Sequence, residues 1–276
     1  RVSPRRWEQL ILYVNAGIPA KDEHTAKGLL TNVKLNFKNY LSGEHSKLLD
    51  KVLHAVSKLI HDTSGITVSS SHVHSDSDWR STLEHQIETK MKLGHHRKYI
   101  PIMSGMPGVG KTFHAAAIAE HLKLAYIHID CSTLDAQDVI GIPLSKTEGE
   151  KVSVKFSTPK LYKQILGDIK EAEAELLDEM REDLGNDEVK KWKERDFKYL
   201  IFFDELNRTS AKVFNGLRRV ILEKNFNDEL KLPEESIIIA AINPEDAGAS
   251  ELTHHMRDVV DTITSGADWE KTKRYL

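Results

Sequence analysis

The sequence predicts an α/β protein, a five-stranded parallel sheet between helices, with a small all-helical domain in front of it. Three observations lead there. After Lys98, short apolar runs alternate with helical segments: YIPIMS, LAYIHID, YLIFF, SIIIAAI and VVDTIT. These runs are continuous rather than alternating. Strands buried on both faces read that way, and a parallel sheet covered by helices buries both faces. Before Lys98 the texture differs, with apolar residues recurring every three or four positions, as along one face of a helix.

Taken in order, residues 4–60 contain three helical patterns, WEQLILYV, AKGLLTNVKLNFKNYL and KLLDKVLHAVSKLI. Gly17-Ile18-Pro19 and Ser42-Gly43 separate them. Ser3 reads as an N-cap and Pro4 as the first helical residue. The next two positions hold Arg5 and Arg6, where the partially positive helix end favours acids. They await an anion; water and a nearby carboxylate are the plain alternative. Residues 64–78, SGITVSSSHVHSDSD, are rich in Ser, Asp and His and read as a linker. The expected division is therefore a helical domain at 1–62, a linker at 63–78 and a core at 79–276. A helix is expected from about Trp79 to Leu93. The core carries an insertion at about 145–196, with KVSVKFS as a hairpin strand and 160–195 as one or two charged helices.

Composition limits the function classes. Hydrophobic residues are 39% and charged residues 29%, so a chain of 276 residues can bury a core. The net charge of -3 gives no general electrostatic case for nucleic acid or an anionic membrane. No apolar run approaches the roughly 20 residues that span a bilayer. A single cysteine, Cys131, excludes an internal disulfide and suits a reducing, cytoplasmic compartment. Cys131 itself reads as a small buried residue. The histidine pairs His72/His74 with Asp76, and His95/His96, read as solvated rather than metal-binding.

The chemistry lies in three segments. YIPIMSGMPGVGKTFHAAAIAEHL is strand, loop, helix, and within it Gly105-Met106-Pro107-Gly108-Val109-Gly110-Lys111-Thr112 fits G-x-x-x-x-G-K-[ST] in full. Glycines let backbone N–H groups wrap phosphate oxygens, and the following helix turns its positive end toward them. Lys111 would reach the β and γ phosphates of a nucleotide, and the Thr112 hydroxyl would hold Mg²⁺. YLIFFDELNR ends a strand in Asp204-Glu205; Asp204 would bind Mg²⁺, and Glu205 would activate the attacking water. SIIIAAINPEDAG ends a third strand in Asn243, placed to position that water or report on the γ-phosphate. A turn-forming Asn before Pro244 is the plainer reading.

Together these residues resemble the AAA+ ATPases, and among them the MoxR-like branch. The resemblance rests on GMPGVGKT, HIDCSTLDAQDVIGIP, DELNRTSAKVFNGLRRVILEK and AINPEDAGASEL, and covers roughly residues 98–264. It implies an AAA+ P-loop core and a hairpin insertion of the kind MoxR-type proteins carry in their second helix. Such a core is normally followed by a helical lid. Here SPRRWEQLILYVNAGIP and GLLTNVKLNFKNYL look like that lid placed in front, in permuted order. In the MoxR-type lid an arginine at the helix start faces the nucleotide, and Arg5 takes that place. The family's arginine finger falls near HHMRDVVD, where Arg257 is available but Val259 stands at the expected position; Arg208 is a second candidate.

The resemblance implies a Mg²⁺-dependent ATPase assembled as a homo-oligomeric ring, a hexamer, that remodels an unidentified protein partner. One alternative is a nucleic-acid translocase or restriction-type motor, which the acidic excess between Asp168 and Asp196 disfavours. The other is an ATP-switched scaffold with little hydrolysis, favoured by the uncertain finger and opposed by the intact Glu205.

Overall fold

The computed structural model describes residues 46–66, 79–94, 100–148, 151–227, 229–243 and 260–264, with the single positions Val14, Ala26, Leu29, Leu30 and Val33. Residues 67–78, the expected helix start with Arg5 and Arg6, and the segment around Arg257 lie outside the described residues. Chain packing separates two compact units, Arg1–Arg97 with Asp261–Leu276, and Lys98–Val260. Helix Trp79–Leu93 groups by packing with the first unit.

In the first unit, helix α1 (Ser46–Ser64) presents Leu53, Val56 and Ile60 on one stripe, spaced by three and four residues. That stripe closes a small core with Val14, Ala26, Leu29, Leu30 and Val33. Helix α2 (Trp79–Leu93) is buried at Trp79, Leu83 and Ile87, and equally at Thr82, His85, Gln86 and Thr89. Its low amphipathicity in sequence follows from burial of polar and apolar positions together. Thr89 and His85, one turn apart, lie 3.4 Å from each other through their polar atoms.

The second unit is built on four parallel strands among the described residues: β1 (Ile100–Ser104), β2 (Ala125–Asp130), β5 (Tyr199–Asp204) and β6 (Ser236–Ile242). Their order is β2-β5-β6-β1. Every residue of β1, β5 and β6 is buried, which is why these runs are continuously apolar, whereas β2 alternates. VVDTIT also forms a strand as expected, β7 (Val260–Thr264), with Ile263 buried. Between β2 and β5 the chain forms helix α4 (Ala136–Ile140), the antiparallel hairpin β3 (Pro143–Glu148) and β4 (Lys151–Phe156), and helices α5 (Lys160–Asp183) and α6 (Asn186–Lys193). Helix α3 (Lys111–Leu122) follows the loop after β1, and α7 (Ala211–Glu223) lies between β5 and β6. Seven α-helices are thus seen among the described residues.

The charged insertion is a structural part of the core. Helix α5 buries Leu161, Ile165, Ile169, Leu176, Leu177 and Met180 in the cluster that also holds Ile127, Ile201 and Phe203 of the sheet. Its charged residues occupy the opposite face, so charge density in the sequence hid an amphipathic helix. Trp192 of α6 is almost wholly buried and donates Nε1–H to the Lys123 carbonyl at 2.7 Å. Arg195 donates to the Leu122 carbonyl at 3.0 Å. The insertion therefore satisfies the free carbonyls at the C-terminus of α3. On α7, Gly216 lets α4 approach closely; a Cβ there would stand 2.8 Å from the Val139 side chain.

Trp192→Ala is expected to cost about 3–5 kcal/mol, from a lost large core side chain and the cavity left behind. Trp192→Phe, which mainly removes the hydrogen bond, should cost about 1 kcal/mol. Urea unfolding followed by circular dichroism reads both; equal midpoints for wild type and Trp192→Ala would contradict this packing.

Candidate active site

Parallel pairing decides where the site lies. Ile102, Ala240 and Phe203 share one row of the sheet, because Ile102 pairs with Ala240 and Phe203 with Ala240. Three rows further on, β1 has passed into Gly105, β6 into Asn243, and β5 into the turn after Glu205. Three segments far apart in sequence therefore leave the sheet at one carboxyl edge.

After β1, the Gly105 amide continues the ladder by donating to the Ile242 carbonyl at 3.2 Å. The chain then turns through Gly108 (φ +80°) and Gly110 (φ +86°), left-handed positions that a side chain rarely adopts. Gly110 precedes α3, whose first hydrogen bond runs from the His114 amide to the Gly110 carbonyl at 3.0 Å. A Cβ at Gly108 would meet nothing within 4 Å, so the loop is open there and has room for phosphate oxygens. The buried Lys111 ammonium donates to the carbonyls of Gly105 (2.7 Å) and Met106 (3.0 Å) and to Asn243 Oδ1 (2.7 Å). The phosphate loop and the end of β6 are thus tied together through one cation.

Thr112 donates its hydroxyl to Asp204 Oδ2 at 2.6 Å. The Glu205 amide donates to Asp204 Oδ1 at 2.9 Å, and His128 Nε2 lies 3.4 Å from Oδ2. Burial pushes the Asp204 carboxyl up, but the hydrogen bonds from His128, Thr112 and the Glu205 amide outweigh it and hold the group below its usual range. The same contact with Asp204 raises the His128 imidazole, with burial opposing it. Among the described residues no cluster of three or more His, Cys, Asp or Glu side chains could chelate a metal. An adjacent hydroxyl and carboxylate match Mg²⁺, a hard ion that keeps several waters and takes its other ligands from phosphate. The residues present therefore fit both groups, ATP on the loop and Lys111, and Mg²⁺ on Thr112 and Asp204.

Glu205 occupies a left-handed backbone (φ +51°, ψ +36°), sparsely populated for a residue with a side chain. Its carboxylate lies 2.8 Å from Arg208 Nη1 at both oxygens and 3.4 Å from Asn243 Nδ2. Asn243 is held by a reciprocal pair of bonds with Asn207: Asn207 Nδ2 donates to the Asn243 carbonyl at 2.8 Å, and the Asn243 amide donates to Asn207 Oδ1 at 3.0 Å.

Gly105 to Thr112, Asp204, Glu205 and Asn243 are thus brought together. Arg208 meets Glu205 of its own chain. Cys131 is fully buried with its sulfur 3.8 Å from the Ile129 carbonyl, and burial pushes its thiol up, so it is not poised as a nucleophile. Sequence reasoning missed two residues. His128 carries no motif; only the pairing of β2 with β5, His128 opposite Phe202 and Asp130 opposite Asp204, brings it beside the acid. Asn207 lay in plain view within DELNR, but its partner is 36 residues away.

A parallel sheet with a phosphate-type loop after β1 and an acid pair after β5 defines a P-loop nucleotide-binding protein. The ATPase family associated with various cellular activities, AAA, matches residues 101–262, more than half of the chain, and the chain belongs to that family. No curated protein matches it significantly. Among solved structures it is similar to a Cytophaga hutchinsonii protein provisionally classed as an ATPase, at 19% identity and a TM-score of 0.40. That likeness covers 69% of this chain, which spans 48% of the other. The family membership rests on the sequence match.

Asn207→Ala should leave the buried N–H and C=O of Asn243 without partners, at a cost of about 1–3 kcal/mol. Thermal unfolding is expected to shift down, and ATP turnover to fall with it because Asn243 loses its anchor. An unchanged melting temperature together with unchanged turnover would remove Asn207 from the site.

Proposed function

We propose that this chain binds ATP with Mg²⁺ at the carboxyl edge of its sheet and hydrolyses it. The observation that carries the reading is the continuous set of contacts joining Lys111, Asn243 and Glu205 on one side and Thr112 and Asp204 on the other. Lys111, turning from the loop carbonyls, binds the β and γ phosphates. Thr112 and Asp204 hold the metal, with His128 and the Glu205 amide fixing the orientation of the Asp204 carboxylate. Bound Mg²⁺ neutralises charge that develops on the phosphate oxygens. Glu205 takes the proton of the attacking water, and Asn243 orients that water from the adjacent strand end.

The finer assignment is a MoxR-like ATPase that works as a hexameric ring on a protein partner. It is supported by DELNRTSAKVFNGLRRVILEK, by the β3–β4 hairpin and by apolar residues exposed on and beside that hairpin: Ile142, Leu144, Val154 and Phe156. Large exposed apolar side chains grouped on one element suit contact with another protein. The helical first unit acts in this reading as a permuted lid, with Arg5 directed at the nucleotide, and Arg257 serves as the finger for a neighbouring subunit. No helix among the described residues is long and apolar enough to cross a membrane, which suits a cytoplasmic assembly. The switched-scaffold alternative draws on one observation, the engagement of the Glu205 carboxylate by Arg208.

The decisive experiment separates binding from turnover. Lys111→Ala is expected to abolish ATP binding in calorimetry, since Lys111 contacts phosphate in the ground state. Glu205→Gln should bind ATP normally and hydrolyse it at least about a hundredfold more slowly, the usual contribution of a positioned base. Equal ATP affinity in wild type and Lys111→Ala sinks the loop assignment, and wild-type turnover by Glu205→Gln sinks the base.

ATP bound at a subunit boundary should also stabilise the assembly. Light scattering with a slowly hydrolysed ATP analogue is expected to show a mass several times that of one chain. A monomeric mass at tens of micromolar protein argues against the ring.

A further inference from the structure

We infer that Arg208 is an intramolecular latch on the catalytic base: it engages both oxygens of the Glu205 carboxylate and so restrains hydrolysis in the isolated protein. The inference rests on the reading of Glu205 as the base and goes on to say how that base is regulated.

The latch begins in the sequence. DELNR places Arg208 three residues after Glu205. Leu206–Arg208 form a 3₁₀ turn immediately after β5, and in a 3₁₀ turn side chains three apart stand one above the other. The Arg208 amide donates to the Glu205 carbonyl at 2.9 Å, closing the turn that aligns the two. A single guanidinium nitrogen, Nη1, then lies 2.8 Å from both Oε1 and Oε2. A general base needs one carboxylate oxygen within hydrogen-bond reach of the water proton it removes. Here both oxygens face a cation instead, and among the described residues Asn243 Nδ2 stands at 3.4 Å from Oε1.

The geometry also shows why the restraint is reversible. The pair is open to solvent, with side-chain exposure of 41% for Arg208 and 27% for Glu205. Such an ion pair is weak and is screened by salt. Its strength suits a contact that opens and closes. A finger acting on a neighbouring subunit needs its guanidinium free for that neighbour; in this chain the guanidinium is engaged by its own Glu205. The two roles predict opposite signs, because removing a finger slows hydrolysis and removing a latch speeds it.

The test is steady-state ATP hydrolysis by Arg208→Gln, which keeps length and polarity but removes the charge. The latch predicts a kcat about two- to fivefold above wild type, the shift expected on breaking an exposed ion pair. ATP affinity by calorimetry stays unchanged. Wild-type kcat at saturating ATP should rise from low to high salt, and that rise should be absent in Arg208→Gln; a merely structural role would move neither. A kcat at or below wild type overturns the latch, and a fall with intact ATP binding identifies Arg208 as a promoter of catalysis. Should Arg208→Gln fail to fold, Arg208→Lys is read by the same criterion, since its shorter point charge cannot hold both oxygens. The double variant Arg208→Gln/Glu205→Gln separates this inference from the reading beneath it. Loss of activity there supports Glu205 as the restrained group, and retained high activity overturns Glu205 as the base and the latch with it.

Discussion

The candidate site depends on the in-register parallel pairing of β1, β5 and β6. The three strands are buried and largely apolar, and their chemistry is confined to their carboxyl ends, where β5 closes in Asp204. Their alignment makes Gly105, Asp204 and Asn243 neighbours at one edge, because parallel strands that share a row end together. Lys111 then locks the arrangement, with its ammonium bonded to two loop carbonyls and to Asn243. A buried ammonium is tolerated where acceptors satisfy it, so the loop and the end of β6 hold each other in place.

Around this edge the protein accepts unfavourable backbone to aim groups correctly. Gly108 and Gly110 are left-handed, and there glycine carries little steric cost. Glu205 is left-handed with a full side chain, and the conformation persists because its neighbours determine it. Its amide is fixed on Asp204, its carbonyl on the Arg208 amide and its carboxylate on the Arg208 guanidinium. The strain therefore coincides with the residue assigned to act on water.

The insertion between β2 and β5 supports this edge through helix α3. Trp192 and Arg195 satisfy carbonyls at the end of α3, the helix whose other end carries Lys111 and Thr112. The apolar stripe of α5 lies in the same cluster as the sheet. A segment that reads as a hairpin strand and one or two charged helices thus secures the helix that follows the loop, while its hairpin leaves apolar side chains toward solvent.

The sequence by itself determined the strands, the phosphate loop, the acid pair and Asn243. These are local signals, since continuous apolar runs mark buried strands and glycine spacing marks a turn that only glycine makes readily. It also determined a helix near Trp79–Leu93 and the hairpin strand at KVSVKF, for the same reason of local periodicity. Tertiary structure alone decided which groups those motifs would meet. His128 reaches Asp204 through the register of two parallel strands, Asn207 pairs with a residue in the next strand, and Trp192 finds a helix end 69 residues earlier in the chain. Arg208 shows the boundary between the two. Its spacing from Glu205 is written in DELNR, but the choice between facing its own carboxylate and facing outward depends on the 3₁₀ turn that follows β5. Local patterns fix what a segment can be; long-range pairing, which no short window contains, fixes what it touches.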